Sequence, residues 1–210
     1  VMPPLAVPEF CNLASFSSGS TTFNELCYYY EYDQRKRMVK KKIPGTNGIY
    51  SMVYDNLDRL IQTTDPNNQT ISTVYDIFSR PIETWDMNRN LRLTKTVYDT
   101  YVVGNNNYAS LFPFQAIDYS GYKANVKGKV TVTITAILDA ELDMKSELVT
   151  VNYYNKYGQL IQTVSENHLG GRDIVIFLYK YNNSDIIAST TYKHWKNNYP
   201  GGTNHTYKEE

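Results

Sequence analysis

Tyr54-Asp55-Asn56-Leu57-Asp58-Arg59-Leu60-Ile61 is the stretch that decides how this chain is read. Its order of residue types returns in Tyr32-Asp33-Gln34-Arg35-Lys36-Arg37-Met38-Val39 and in Tyr75-Asp76-Ile77-Phe78-Ser79-Arg80-Pro81-Ile82. It returns again in Tyr154-Asn155-Lys156-Tyr157-Gly158-Gln159-Leu160-Ile161. Tyr98-Asp99-Thr100-Tyr101 opens a further copy and then departs, and Tyr181-Asn182-Asn183-Ser184-Asp185 reads as a degenerate last one. The early copies start 22, 21 and 23 residues apart, from 32 to 54, 75 and 98. A fixed spacing of this size marks an architecture built from one repeated unit.

The physics of that unit is a β-hairpin. Upstream of each Tyr the sequence alternates, so that Tyr28, Tyr30 and Tyr32, or Tyr50, Met52 and Tyr54, share one face of a strand. The Asp or Asn after the Tyr accepts hydrogen bonds from turn N–H groups. Four residues after the Tyr stand Lys36, Asp58, Ser79, Gly158 and Asp185, most of them tolerant of the left-handed backbone a tight turn needs. A second strand follows through Leu60 or Leu160, and a polar connection such as Asp65-Pro66-Asn67-Asn68 ends the unit. One hairpin is marginal in water, so the units must stack. The predicted fold class is all-β: repeated antiparallel hairpins in an extended, twisted sheet.

Around the repeat the chain divides into segments. Residues 1–24 read as an N-terminal extended segment and 25–100 as repeat hairpins. Residues 101–128, with Asn105-Asn106-Asn107, Pro113, Gly121 and Gly128, read as a long loop or insertion. Residues 129–198 read as further hairpins. There Lys129-Val130-Thr131-Val132-Thr133-Ile134-Thr135 pairs with Leu148-Val149-Thr150-Val151-Asn152-Tyr153-Tyr154 across a turn from Asp139 to Glu147. Residues 199–210 read as a loose tail. No segment shows a helical period.

Composition narrows the function classes. The 210 residues carry 21 basic and 21 acidic side chains, a net charge of zero, which argues against coating nucleic acid or anionic membrane. With 41% hydrophobic and 20% charged residues the chain is globular rather than disordered. The 20 Tyr against 7 Phe and 2 Trp favour strands, and because many Tyr follow the repeat they read as a cross-strand ladder. Exposed Tyr could alternatively stack on sugar rings. No apolar run is long enough to span a bilayer, and no signal peptide is visible at Val1-Met2-Pro3-Pro4.

Residues that carry chemistry are few. His168, His194 and His205 lack metal-ligand spacing, no phosphate loop or nucleophile elbow is visible, and no cofactor is expected. Cys11 and Cys27 either close a short disulfide loop or remain two thiols. Arg35, Lys36, Arg37, Lys40, Lys41 and Lys42 form the one dense basic cluster. It reads as the solvated face and edge of a strand, with a polyanion or ligand site as the competing reading. Arg37, Arg59 and Arg80 are expected to stack on the repeat Tyr rings or to pair with Asp of neighbouring units.

The spacing Tyr-Asp-x-x-x-Arg-Leu-Ile resembles the signature of YD-repeat, or RHS-repeat, proteins. The stretches Leu26 to Asp33, Ile43-Pro44-Gly45, Met52 to Leu60 and Gly158 to Gly171 are similar to the large RHS proteins of Bacteroidetes. The likeness runs over roughly 25 to 195. It implies Tyr32, Asp33, Arg37, Tyr54, Asp55, Arg59, Leu60, Tyr75, Asp76, Arg80, Tyr154, Gly158, Leu160 and Tyr181 as repeat-structural residues. It also implies a secreted or surface-displayed parent protein, whose strip of repeats forms a β-shell that can enclose a C-terminal toxin. An adhesion module binding glycan or a receptor is the alternative. The family's self-cleaving Asp-Pro-x-Gly motif is absent, since Asp65-Pro66 is followed by Asn67 and Asn68. The expected role is therefore a non-catalytic scaffold. Its expected partners are neighbouring repeats, toxin cargo or a surface glycan, and a second copy through open sheet edges, with neither nucleic acid nor membrane insertion.

Overall fold

The computed structural model describes residues 25–46, 48–115, 125–139, 144–179, 187–196 and 203–209. The chain forms two compact units, Val1–Arg92 and Leu93–Glu210. Both are built almost wholly from antiparallel strands that neighbour one another in sequence order, as the repeat predicts. Among the described residues no helix is long and apolar enough to cross a membrane.

The first unit is a meander of β1 (Tyr29–Tyr32), β2 (Met38–Lys42), β3 (Tyr50–Tyr54), β4 (Leu60–Thr64), β5 (Thr70–Tyr75) and β6 (Pro81–Asp86). Each repeat hairpin has one register. The pivot Tyr opposes the sixth residue after it, as in Tyr32↔Met38, Tyr54↔Leu60 and Tyr75↔Pro81, with a bulge beside it. The bulge is the geometric cost of closing a four-residue turn against a pleated ladder. Among the described residues of this unit Cys27 is the buried apolar side chain, packed against Leu26 and Tyr29. Cys11, its candidate disulfide partner, lies outside the described residues.

The second unit takes in β7 (Leu91–Tyr98) from Leu93 onward, then β10 (Val130–Leu138), β11 (Met144–Tyr154), β12 (Leu160–Glu166), β13 (Arg172–Tyr179), β14 (Ile187–Lys196) and β15 (Thr203–Glu209). The register Val132↔Val151, Val151↔Val164 and Val164↔Ile174 lines apolar residues across one face. Between β7 and β10 the chain makes a small hairpin, β8 (Val102–Val103) with β9 (Asn106–Asn107), and one helical turn, α1 (Tyr108–Leu111). Asn107 caps α1 by accepting from the Ala109 N–H at 3.1 Å. This segment places Tyr108 and Phe112 in a core with Val132, Val151, Tyr153 and Ile174.

Three expectations are corrected here. Residues 101–128 are not simply a loop: their first half is an ordered cap on the sheet, because Tyr108, Phe112 and Phe114 bury apolar surface against it. The β10–β11 connection is shorter than the span from Asp139 to Glu147, since β11 already begins at Met144 and pairs with Leu138. Residues 203–209, within the expected loose tail, form β15 and pair with β14 from Lys196↔Thr203 to Thr190↔Glu209. Their backbone hydrogen bonds supply the order that a polar sequence does not advertise.

Candidate functional site

The repeated feature is the turn. Asp33 Oδ1 accepts the N–H groups of Arg35 and Arg37 at 2.8 and 2.9 Å. Asp55 does the same for Leu57 and Arg59, at 2.8 and 3.0 Å, and Asp76 for Phe78 and Arg80, at 2.8 and 2.9 Å. The second carboxylate oxygen takes the Arg Nε of the same turn, at 2.7, 2.6 and 2.7 Å in chain order. One Asp thus satisfies turn N–H groups and orients a guanidinium. The third residue after the Asp turns left-handed, with φ 60, 62 and 61 at Lys36, Asp58 and Ser79. Gly158 holds the place at φ 77, a conformation that costs glycine nothing.

Asn155 and Gln159 build the same turn without charge. Asn155 Oδ1 accepts from Tyr157 and Gln159 N–H at 2.9 and 3.1 Å, and its Nδ2 donates to Gln159 Oε1 at 2.6 Å. The opposite edge of each unit reuses the geometry. Asp65 accepts from Asn67 and Gln69, with Asn68 at φ 62, and Asn167 accepts from Leu169 and Gly171, with Gly170 at φ 74. The polar connection expected at Asp65-Pro66-Asn67-Asn68 is thus a capped turn of the same kind. The signal of these back turns is an Asp or Asn followed three residues later by Asn or Gly.

Electrostatics follow the contacts. The Asp33 carboxyl is held below the usual carboxylate range, mainly by the Arg37 backbone N–H. For Asp55 and Asp76 desolvation is the largest influence and pushes upward. The backbone N–H and guanidinium of Arg59 and Arg80 together outweigh it, so both carboxyls are also lowered. Asp86 is lowered by Arg89 against the same upward push.

A second set of contacts joins one hairpin to the next. The Arg37 guanidinium lies 4.9 Å from the centre of the Tyr54 ring, and Arg59 lies 4.9 Å from that of Tyr75. The Tyr54 hydroxyl donates to the Met38 carbonyl at 2.9 Å, and the Tyr75 hydroxyl to Leu60 at 2.9 Å. Arg37 also reaches Asp58 Oδ1 at 2.7 Å, and Arg59 reaches Ser79 Oγ at 3.4 Å. Each pivot Tyr is therefore clamped from the previous hairpin by a cation on its face and an acceptor at its tip. Arg80 lies 5.2 Å from the Phe78 ring of its own turn.

The second unit keeps the joint with altered parts. Lys129 Nζ lies 5.9 Å from the Tyr154 ring centre, and the Tyr154 hydroxyl donates to Val130 at 2.8 Å. The copy that opens at Tyr98-Asp99 is thereby completed by Gly128-Lys129-Val130. The Asp99 N–H donates to the Lys129 carbonyl at 3.1 Å, Asp99 Oδ1 accepts the Gly128 N–H, and Tyr98 opposes Val130. Residues 100–127 are inserted into the turn of a single repeat. A further pivot-like contact stands at Tyr179. The Tyr179 hydroxyl donates to Leu160 at 2.8 Å and Tyr179 opposes Ile187, whereas Tyr181 lies outside the described residues. Asp185 does so as well.

The basic cluster does not converge. Arg35 pairs with Asp58 at 2.8 Å, Arg37 with Asp33 and Asp58 at 2.7 Å, and Lys40 with Glu31 at 3.0 Å. Lys42 is buried and donates to the Thr46 carbonyl at 2.6 Å. Lys36 sits at the exposed turn tip, and Lys41 is half-buried opposite Tyr30 and Tyr50.

In the second unit the cap is tied down by polar contacts that the sequence did not announce. Gln162, fully buried, accepts from the Gln115 N–H at 2.9 Å and donates to its carbonyl at 3.3 Å. Tyr153 donates to the Phe112 carbonyl and stacks on Tyr101 at 5.3 Å. Arg172 lies 4.2 Å from the Phe112 ring centre and donates to the Leu111 carbonyl at 3.0 Å. Elsewhere in this unit, a cleft of about 440 Å³ is lined by Leu148, Glu166, His168 and Arg172, among others. His194 Nδ1 meets Asp173 at 2.5 Å, and Asp173 also accepts from Asn167 at 3.0 Å. Among the described residues no three His, Cys, Asp or Glu side chains converge to hold a metal.

No family model matches this chain, and no curated protein matches it. Among solved structures it is similar to TcdB2-TccC3-Cdc42, with a TM-score of 0.43 and 10% identity over 97% of this chain and 10% of that one. TcdB2-TccC3 itself gives a TM-score of 0.36 and 13% identity, over 99% of this chain and 13% of that one. A Tc holotoxin pore of Photorhabdus luminescens gives 0.40 and 10%, over 95% and 10%. This chain spans about a tenth of the length of those chains, to which its chain path bears a distant likeness.

Proposed function

We propose that this chain is a structural segment of an RHS/YD-type repeat scaffold and does no catalysis itself. One observation carries the reading: the signature side chains are spent on one another. In the first unit the repeat Asp holds its own turn and orients the Arg, and Arg37 and Arg59 clamp the Tyr of the next hairpin. That is what a strip of repeats needs in order to cohere without a deep core. The reading extends to a secreted or surface parent protein of the Bacteroidetes RHS type, in which the strip walls a β-shell around a toxin cargo.

Tyr54→Phe and Tyr54→Ala test the scaffold. The first removes only the hydroxyl bond to Met38, and the second removes the cation–ring contact as well. Hydrogen exchange of the β2 and β3 amides should accelerate in that order. Unchanged protection in both variants would leave the scaffold without its joint. A glycan-binding role draws less support, because Arg35, Arg37 and Lys40 are already ion-paired. Glycan-array binding that is lost when Lys40, Lys41 and Lys42 become Glu would favour it instead.

A further inference from the structure

The joint between hairpins leaves one half unmatched at β1. Among the described strands β1 pairs on one side only, with β2. Its pivot, Tyr32, is the counterpart of Tyr54 and Tyr75, whose rings and hydroxyls are held by the preceding hairpin. Tyr32 is 54% exposed, and among the described residues no cation covers its ring and no carbonyl receives its hydroxyl.

The polarity of the joint is also reversed there. The fourth residue after the pivot is where the preceding hairpin's cations land. Asp58 receives Arg35 and Arg37, at 2.8 and 2.7 Å, and Ser79 receives Arg59 at 3.4 Å. In the first hairpin this position is Lys36, exposed and at φ 60. An ordinary hairpin would bring its Arg against the Lys36 ammonium, whereas a carboxylate would be attracted to it.

We infer that the β1 edge is a docking surface for a β-hairpin of opposite polarity. That partner adds a strand to β1 and carries a carboxylate at the third position after its pivot, where the first hairpin carries Arg35. Its fifth position is neutral, as Gln159 is in the Asn155 turn. Arg-bearing hairpins of the usual kind are disfavoured at this edge. The mode is strand addition, with backbone bonds supplying affinity and the turn charges supplying choice.

The inference rests on the scaffold reading, since it uses the same joint, but the two fail separately. The test uses the full chain and two backbone-cyclised peptides of sequence 50–64, cyclised because a free hairpin is marginal in water. One peptide keeps the sequence, and the other carries Leu57→Glu and Arg59→Gln. Binding is read by anisotropy of the labelled peptide and by hydrogen-exchange protection of the β1 amides. The acidic peptide should bind about threefold or more tightly than the Arg-bearing one, the scale of a single exposed charge pair. Lys36→Asp should invert that preference, and Asp58 at φ 62 shows that Asp fits this backbone. Equal affinities, an uninverted preference, or no protection of β1 by either peptide would each overturn the inference. So would β1 amides already as protected as those of β3 in the chain alone. If Tyr54→Phe loosens β2 and β3 while the peptides show no preference, only the docking inference is lost.

Discussion

The two units use one hairpin and hold it together differently. In the first, the row Ser51, Thr64 and Thr70 runs across β3, β4 and β5, and Val53, Gln62 and Ser72 form the next row on the same face. In the second, the matching rows are Val151, Val164 and Ile174, then Tyr153, Gln162 and Ile176. Only Gln62 and Gln162 keep their type. The first face is polar apart from Val53, and half-buried to exposed; the second is apolar apart from Gln162 and covered by the cap from 101 to 115. The comparison teaches that the repeat's turn and joint suffice to pair hairpins. A dry core needs a separate piece of chain to close it, because a lone sheet has one apolar face too many.

The largest break in that comparison is expected at the cap. Phe112→Ala removes a ring buried to 3% exposure and should cost roughly 3–5 kcal/mol, the scale of a large aromatic truncation in a core. Denaturant unfolding, read with hydrogen exchange of β12 and β13, should show the loss in the second unit while β3 and β4 keep their protection. Equal loosening of both units would contradict separate means of stabilisation.

Next in size is the hydroxyl of the joint. Tyr154→Phe and Tyr54→Phe each delete one bond to a carbonyl and should cost about 1 kcal/mol. Tyr154 is the more buried of the two, so the loss of its hydroxyl bond should be the more damaging change. A reversed order would show that the exposed joints carry more of the stability than the capped ones.

Acid should separate the units more gently. The carboxyls of Asp33, Asp55 and Asp76 sit below their ordinary value in the folded chain. Their contribution is complete above the unfolded pKa, about 3.9, and is lost as pH falls through the lower folded value. The Asn155 and Asn167 turns are capped by amides, which offer no carboxylate to protonate. Turn amides of the first unit should therefore lose exchange protection below about pH 4, before those around Asn155 and Asn167. The smallest expected effect is the converse graft: Asn155→Asp with Gln159→Arg should leave stability at pH 7 within about 0.5 kcal/mol while making that turn acid-sensitive.

Much of this was legible in the sequence, and for a physical reason. A hairpin turn is local: Asp at one position, a residue tolerant of positive φ three later and Arg one further are set by a few backbone angles, so Tyr54-Asp55-x-x-Asp58-Arg59 announces its own geometry. The all-β class and the place of each early hairpin follow from that. Asp99 and Gly128 close the same turn across an insertion, which a contiguous pattern cannot reveal. The pivot-like place of Tyr179 is set by the carbonyl of Leu160 and not by the residues beside it. The cap, the burial of Gln162 and the pairing of Arg35, Arg37 and Lys40 with Glu31, Asp33 and Asp58 depend on contacts that the fold brings together. Those were decided by tertiary structure, because whether a charge is free or a face is covered depends on what the fold brings against it.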